Sequence, residues 1–409
     1  MNYKRLGDYI REVNIRNTEL KVEKLLGVSI QKAMMPSIAN TVGTDMSTYK
    51  IMKRGQFAYG PVTSRNGDKI SIALLNEYDE AIISQAYTSF EVLDREKLLP
   101  EYLMMWFRRP EFDRYARFKS HGSAREIFDW DEMCNTELPI PSPEKQREIV
   151  AEYNAVQHRI DLNNQLIQKL EETAQAIYKQ WFIDFEFPNE EGKPYKSSGG
   201  EMLESELGEI PRGWRVEKLK NICEIKGGKR LPKEASLNNK REGRPYIKVA
   251  DMSKDKYIVL SSDFEYVDNN TQKAISKYIV STDDVIISIV GTIGLVSMID
   301  KSLNNANLTE NCFKLTNLKE LCPDLLYYYL NSPVGQKDIE TRMVGGVQAK
   351  LPMYNVESMP MIIPNDRIVN IFKKTISSIN ELQASSLEER HKLIGLKTLL
   401  LSKMATIEN

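Results

Sequence analysis

The strongest constraint on this chain is that it is written twice. Arg147–Ile160 (REIVAEYNAVQHRI) matches Asp366–Ile379 (DRIVNIFKKTISSI) at an offset of 219 residues. Upstream, Leu98–Phe112 resembles Glu320–Gly335, both prolines included. Tyr49–Gly60 parallels Lys277–Ser288, and Leu6–Val13 is similar to Leu219–Lys226. The period is far longer than that of a solenoid. What repeats is a mixed, strand-rich segment that runs into one long helix.

The helices follow from spacing. Pro143 opens the first, with Glu144 and Glu148 at its positive end. Ile149, Tyr153, Val156, Ile160, Asn163, Ile167, Leu170, Ala174, Ile177 and Trp181 then recur at steps of four and three, a heptad seam. Pro188 stops it, and about 40 helical residues span roughly 60 Å. After Pro364 the second helix keeps the phase with Ile368, Phe372, Thr375, Ile379, Leu382, Ser386, Glu389, Leu393, Leu396 and Leu400. A lone helix with one apolar stripe needs a partner, and the duplicate supplies it. The alternative is that each stripe packs on its own globular domain, which would ask for a wider stripe.

The expected fold is therefore α+β. Two strand-rich mixed domains are each followed by a long helix, and the helices pair as an antiparallel coiled coil with pseudo-twofold symmetry. The boundaries fall at 1–142, 143–187 (first helix), 188–213 (a polar, Gly- and Pro-containing linker), 214–364 and 365–409 (second helix). Leu203–Leu207 is expected as a short helix in the linker, and Val285–Ile299 as a hairpin around Gly291-Thr292. Full antiparallel overlap would place Ile149 against Leu400, Ile160 against Glu389, Ile167 against Leu382, and the polar Asn163 against Ser386.

Composition narrows the class. Of 409 residues 41% are hydrophobic, enough for two or three domains with cores. Val285–Ile299 is too short for a membrane span, and MNYKRLGDYI lacks the apolar core of a signal peptide, so a cytoplasmic chain is expected. Cys134, Cys223, Cys312 and Cys322 form no CxxC pair, so buried, reduced thiols are expected and no metal site. Net charge is −1, which alone argues against a general nucleic-acid binder. The distribution is uneven: Arg212–Lys248 holds 12 basic and 4 acidic residues, Met104–Arg125 holds 6 and 2.

Most of the candidate contact residues lie within these basic stretches, and the rest in two other segments. In KGGKRLPKEA, glycines beside Lys229 and Arg230 would let cations approach phosphates, or form a turn with solvated charges. Arg241, Arg244 and Lys248 extend that region. In and just before FKSHGSAREIF, Arg117, Lys119, His121, Ser123 and Arg125 surround Gly122. The equivalent MVGGVQAKL follows Arg342 and carries Gln348 and Lys350. Arg, Gln and Ser suit base edges and Lys suits phosphates; the bland alternative is a polar loop capping each domain. Arg65, Asn66 and Lys69 form a third group in a turn. No methyltransferase, Walker A or HExxH motif is present, and no catalytic residue is assigned.

The chain resembles the specificity subunits of Type I restriction–modification enzymes. The resemblance covers essentially the whole chain and is carried by Leu138–Val150 (LPIPSPEKQREIV), Trp181–Met202, Gly208–Leu219 (GEIPRGWRVEKL) and Asp283–Gly294. It implies two target-recognition domains, each reading half of a split and asymmetric DNA site. It implies spacer helices that set the gap and dock two methyltransferase subunits, and a motor-nuclease subunit that joins them. S-adenosylmethionine, ATP and magnesium would then sit on the partners and no cofactor on this chain. Met359–Val369 lacks the Pro-rich, Gln-containing approach to the first helix. A coiled-coil protein adaptor and a self-contained nuclease are the competing readings.

Overall fold

The computed structural model describes residues 3–37, 43–64, 66–122, 125–252, 255–346 and 348–406. It divides into two compact units, Met1–Arg159 with Leu393–Asn409, and Ile160–Lys392. The long helices Pro143–Tyr178 and Asp366–Lys403 each contribute to both. No helix among the described residues is long and apolar enough to cross a membrane.

The duplication is visible as topology. In the first unit an antiparallel sheet runs in the order Ile10–Val13, Thr88–Val92, Phe57–Tyr59, Ile72–Leu74. In the second, Glu224–Gly227, Cys312–Thr316, Val285–Ser288 and Val296–Ile299 repeat that order, and Tyr257–Ile258 adds a fifth, parallel strand. Val285–Ser288 is buried at every position, because helices cover one face of the sheet and further strands the other. Each sheet is followed by two Pro-initiated helices, Pro100–Phe107 and Pro110–Lys119, then Pro323–Asn331 and Pro333–Thr341. Proline suits these first turns, where its missing N–H costs nothing. A short strand pair closes each unit: Tyr3–Arg5 with Glu137–Pro139, and Arg215–Lys218 with Pro360–Ile363.

The first long helix buries the expected stripe. Tyr153, Ile160, Asn163, Ile167, Ala174 and Trp181 are buried and Ile149, Val156, Leu170 and Ile177 half-buried, with Tyr178 buried in addition to the expected positions. Ser142 caps its start by accepting from Lys145 N. The second helix starts with the same kind of cap although its approach lacks the Pro-rich, Gln-containing sequence: Asn365 accepts from Ile368 N at 3.1 Å.

The seam of the second helix departs from the expected one. Ile368, Phe372 and Ser386 are buried, and Ile379 and Leu393 are half-buried, but Leu382 is 45% exposed and Leu396 43%. The buried positions are Ile376, Gln383 and Leu387. Choosing the apolar Leu382 over the polar Gln383 puts the stripe one residue off. The register shifts too. Arg390 donates to Asn164 Oδ1 at 3.1 Å and Gln383 to Glu171 Oε2 at 3.0 Å. Full overlap would have put Ser385 and Ser378, each five positions earlier, opposite those two acceptors. Asn163 and Ser386 therefore do not form one polar layer.

The 188–213 stretch connects the halves but folds as part of the second unit. Phe187 stacks on Tyr195 at 4.6 Å and on Trp214 at 4.8 Å between ring centroids. Phe185, Phe187, Ile210 and Trp214 are all buried in the core. Offset aromatic pairs of this kind add about 0.5–1.5 kcal/mol each beyond their burial. Leu203–Leu207 is not a helix: Met202–Ser205 pairs with Gly208–Pro211 in a hairpin. Gly208 takes φ +92° at its turn and Ser205 Oγ donates to the Gly208 carbonyl, a geometry that overrides the helix propensity of Leu and Glu.

Candidate nucleic-acid interface

One loop is built twice at the same place in the fold. Pro110–Lys119 leads into a loop closed by a bridge between His121 and Ile127, with N–H···O distances of 3.0 and 2.8 Å. Pro333–Thr341 leads into its counterpart, closed between Val344 and Lys350 at 2.9 Å in both directions. Each loop then docks on a sheet end: Phe128 N donates to Pro61 O at 2.8 Å, Leu351 N to Ile289 O at 3.0 Å. Each carries a glycine at positive φ, Gly122 at +129° and Gly345 at +96°. A Cβ on Gly122 would lie 2.2 Å from the Arg125 carbonyl, and one on Gly345 2.8 Å from that of Gln348. Glycine is required there to bring the strands of the loop together.

The side chains differ between the copies. In the first, Arg125 and His121 are exposed and Lys119 is half-buried. Lys119 Nζ and His121 Nε2 both face Glu132, at 3.4 and 3.5 Å, and Arg117 pairs with Glu126. Arg65 and Ser123 lie outside the described residues. Lys69 is exposed in the segment that follows Pro61. In the second copy Gln348 and Lys350 are exposed. Arg342 turns inward: Nε donates to Asp338 at 2.8 Å, Nη1 donates to Ser358 Oγ at 2.7 Å, and its carbonyl accepts from Asn355. It braces the base of the loop, and Gln348 and Lys350 hold its rim.

Phe118, 83% exposed, escaped the sequence reading. The amphipathic helix Pro110–Lys119 points Phe112 and Ala116 inward, and a heptad count puts Phe118 on the opposite, charged face. An apolar ring among cations is suited to thymine methyls or to a wedge between base steps.

The basic run of the second unit reaches the same sheet end as its loop. Gly228 N donates to Cys312 O at 3.1 Å and Lys229 N to Leu308 O at 2.8 Å. A Cβ at Gly228 would meet the Thr309 carbonyl at 2.0 Å, so the glycine permits this close approach. Arg230 donates to Glu310 at 2.6 Å while 81% exposed, and Lys229 lies over the Tyr278 ring at 5.6 Å. Ile289 N reaches Asn311 O, and Val290 bridges Lys350. Lys229, Arg230, Gln348 and Lys350 thus belong to adjoining turns at one end of the sheet. Arg241 and Arg244 are exposed on the neighbouring segment, and Lys248 pairs with Glu265. The intervening Gly291–Gly294 turn is a hairpin loop, its Ser288 Oγ donating to Thr292 O and accepting from Leu295 N.

The thiols are chemically quiet. Burial pushes Cys223 and Cys312 up to about 12 and Cys322 up to about 11, so all three stay protonated at neutral pH.

Comparison with known proteins points the same way. The family described as the Type I restriction modification DNA specificity domain matches residues 35–172 and 211–389. The HindI specificity subunit of Haemophilus influenzae is 25% identical over 90% of this chain and 89% of its own length. The MjaIX specificity subunit of Methanocaldococcus jannaschii is 30% identical over 42% of this chain and 38% of its own. The crystal structure of a Type I restriction–modification S subunit from M. genitalium has a TM-score of 0.57, covering 100% of this chain and 96% of that one at 13% identity; that likeness concerns the fold. Two matched segments, each spanning one copy of the loop, take in most of the sequence, and the chain belongs to the Type I restriction–modification DNA specificity family.

Proposed function

We propose that this chain is the DNA-reading subunit of a Type I restriction–modification complex, with each duplicated loop and its sheet end reading one half of a bipartite site. The observation that carries this is the same loop scaffold built twice with different exposed side chains, His121 and Arg125 in one and Gln348 and Lys350 in the other. A shared backbone presents each loop alike, and unlike side chains make the two half-sites unlike. The site is then asymmetric.

In this reading Lys119, Lys229, Arg230, Arg241, Arg244 and Lys248 hold phosphates, and ligand DNA replaces Glu132, Glu310 and Glu265 as their counter-charges. The long helices fix the gap between half-sites and dock two methyltransferase subunits, and motor-nuclease subunits join that core. S-adenosylmethionine, ATP and magnesium act on those partners. The experiment is to express the chain with its methyltransferase subunit and sequence the methylated sites. Two short, different motifs with a fixed unread gap support the reading. A contiguous motif, or methylation independent of this chain, contradicts it.

A further inference from the structure

The first unit carries a second cationic feature, away from the tip of its loop. A cleft of ≈ 300 Å³ is bordered by Lys32, Lys69, Arg108, Asp113, Tyr153 and Lys397 among others. Four of these six are cations and one is a carboxylate. That carboxylate is already engaged: Asp113 Oδ1 accepts from Lys32 Nζ at 2.7 Å and from Ile70 N at 3.1 Å. Lys32 is 6% exposed and also donates to the Phe107 carbonyl.

The other three cations are differently placed. Arg108 and Lys397 lie 5.5 and 5.7 Å from the centroid of the same Tyr153 ring. Their hydrogen bonds go to neutral oxygens, Tyr153 Oη at 3.3 Å and Gln157 Oε1 at 2.7 Å. Among the described residues no carboxylate lies within ion-pair distance of Arg108, Lys397 or the exposed Lys69. Burial holds the Lys32 ammonium below its usual range, and repulsion from Lys69 and Arg108 adds to that. Like charges gathered beside a low-dielectric wall are relieved by an anion. An adjoining cleft that shares Lys32, Arg108 and Tyr153 contains Glu77 and Glu101, so the anion preference belongs to the part lined by Lys69 and Lys397.

Position suggests which anion. Lys69 ends the segment that starts at Pro61, and Pro61 receives the Phe128 N–H at the close of the reading loop. A duplex resting on that loop would bring its backbone to the Lys69 rim. We propose that this cleft seats a phosphoryl group, supplied by the DNA backbone beside the half-site that the first unit reads. This rests on the DNA-reading function above. Such a contact grips the duplex without reading bases, and so anchors the first half-site's flank.

The test compares the full-length chain with Arg108→Gln plus Lys397→Gln, which keeps hydrogen-bonding capacity and removes two charges. Duplex affinity is followed against chloride concentration. The log–log slope should flatten by roughly 0.9 for a lost phosphate contact, with the methylated half-site motifs unchanged. Neutralising single backbone linkages beside the first half-site as methylphosphonates should weaken the wild type and leave the variant unaffected. If the double variant unfolds, the rim variant Lys69→Gln should shift the slope in the same direction. Pyrophosphate is the second probe. If it raises the thermal midpoint of the wild type but not of the variant, while slope and methylphosphonate scan stay flat, the seat takes free phosphate and the DNA source is wrong. An unchanged slope together with no response to pyrophosphate overturns the proposal. A wild-type chain that binds no duplex defeats the DNA-reading function, while the pyrophosphate arm still reports on the cleft.

Discussion

Gln383 donates its Nε2 hydrogen to Oε2 of Glu171 at 3.0 Å, joining the two long helices through a glutamine that is 1% exposed. Tyr327 Oη donates to the other oxygen of the same carboxylate at 3.3 Å. A polar contact inside a helical seam specifies register, because sliding the helices would leave it unpaired.

Gln383→Ala should therefore destabilise the second unit by about 1–3 kcal/mol, the usual cost of losing a buried hydrogen bond to a charged group. Glu171→Ala in the same background should add less than it does alone, because the two residues share the interaction. Urea midpoints for the four chains of the cycle check this; full additivity would mean that the contact contributes nothing.

Lys256 is 1% exposed at its side chain and lies 2.6 Å from Asp324, with Tyr328 Oη at 3.1 Å and Asn380 Oδ1 at 2.7 Å. Asn380 Nδ2 also donates to Asp324 at 2.8 Å, so the network ties the strand-rich part of this unit to its long helix. Lys256→Met strands the carboxylate and should cost about 3–5 kcal/mol. Lys256→Met with Asp324→Leu should recover most of that loss, since replacing both partners with apolar groups of similar volume removes the buried charge. Denaturation of both variants decides the matter.

His391 titrates below its ordinary 6.5, first through burial and then through Arg390, opposed by Asp255, Asp263 and the Leu387 carbonyl. The folded state thus holds its proton less tightly than the unfolded state does. Between the ordinary and the lowered value the unfolded chain binds more protons, so stability falls as pH drops below 6.5. His391→Gln should flatten the stability profile in that window. Unfolding midpoints at about pH 7.5 and about pH 5.5, on either side of the ordinary histidine value, measure it. An unchanged drop would assign the pH dependence to other groups.

Gly122 and Gly345 offer a test of the loops apart from the cores. Gly122→Ala forces a left-handed residue to carry a Cβ against the Arg125 carbonyl, a local strain of about 1–3 kcal/mol. Amide exchange in the described part of 121–127 should accelerate, while exchange in Phe57–Tyr59 and Thr88–Val92 should not. Equal acceleration in both would place the glycine in the core's stability.

Much of this architecture is legible in the sequence because it rests on periodicity. The first helix announces its seam from Ile149 to Trp181, since nearly every buried position there is apolar. The second does not, because Gln383 is buried for a hydrogen bond that only the folded partner reveals, while Leu382 beside it is left in water. The 188–213 stretch looks like a linker by its glycines and charges. Its fold comes from Phe187, Tyr195 and Trp214, far apart in sequence and stacked in space. Gly122 and Gly345 mark the two matching loops, but the inward turn of Arg342 depends on Asp338 and Ser358, and composition cannot show direction. Phe118 carries a signal, an aromatic on the charged face of a helix, that periodicity could have flagged.

The central claim is a division of labour in which each loop reads one half-site. It is tested most directly by sequencing methylated DNA from cells that carry the methyltransferase with either the wild-type chain or Gln348→Ala plus Lys350→Ala. Both side chains are exposed at the rim of the second loop, so the fold should tolerate the change. The expected result is that the motif at one end of the site relaxes at one or two base positions, with the other motif and the gap between them unchanged. Loss of preference at both ends, or an unaltered bipartite motif at full methylation, would contradict it.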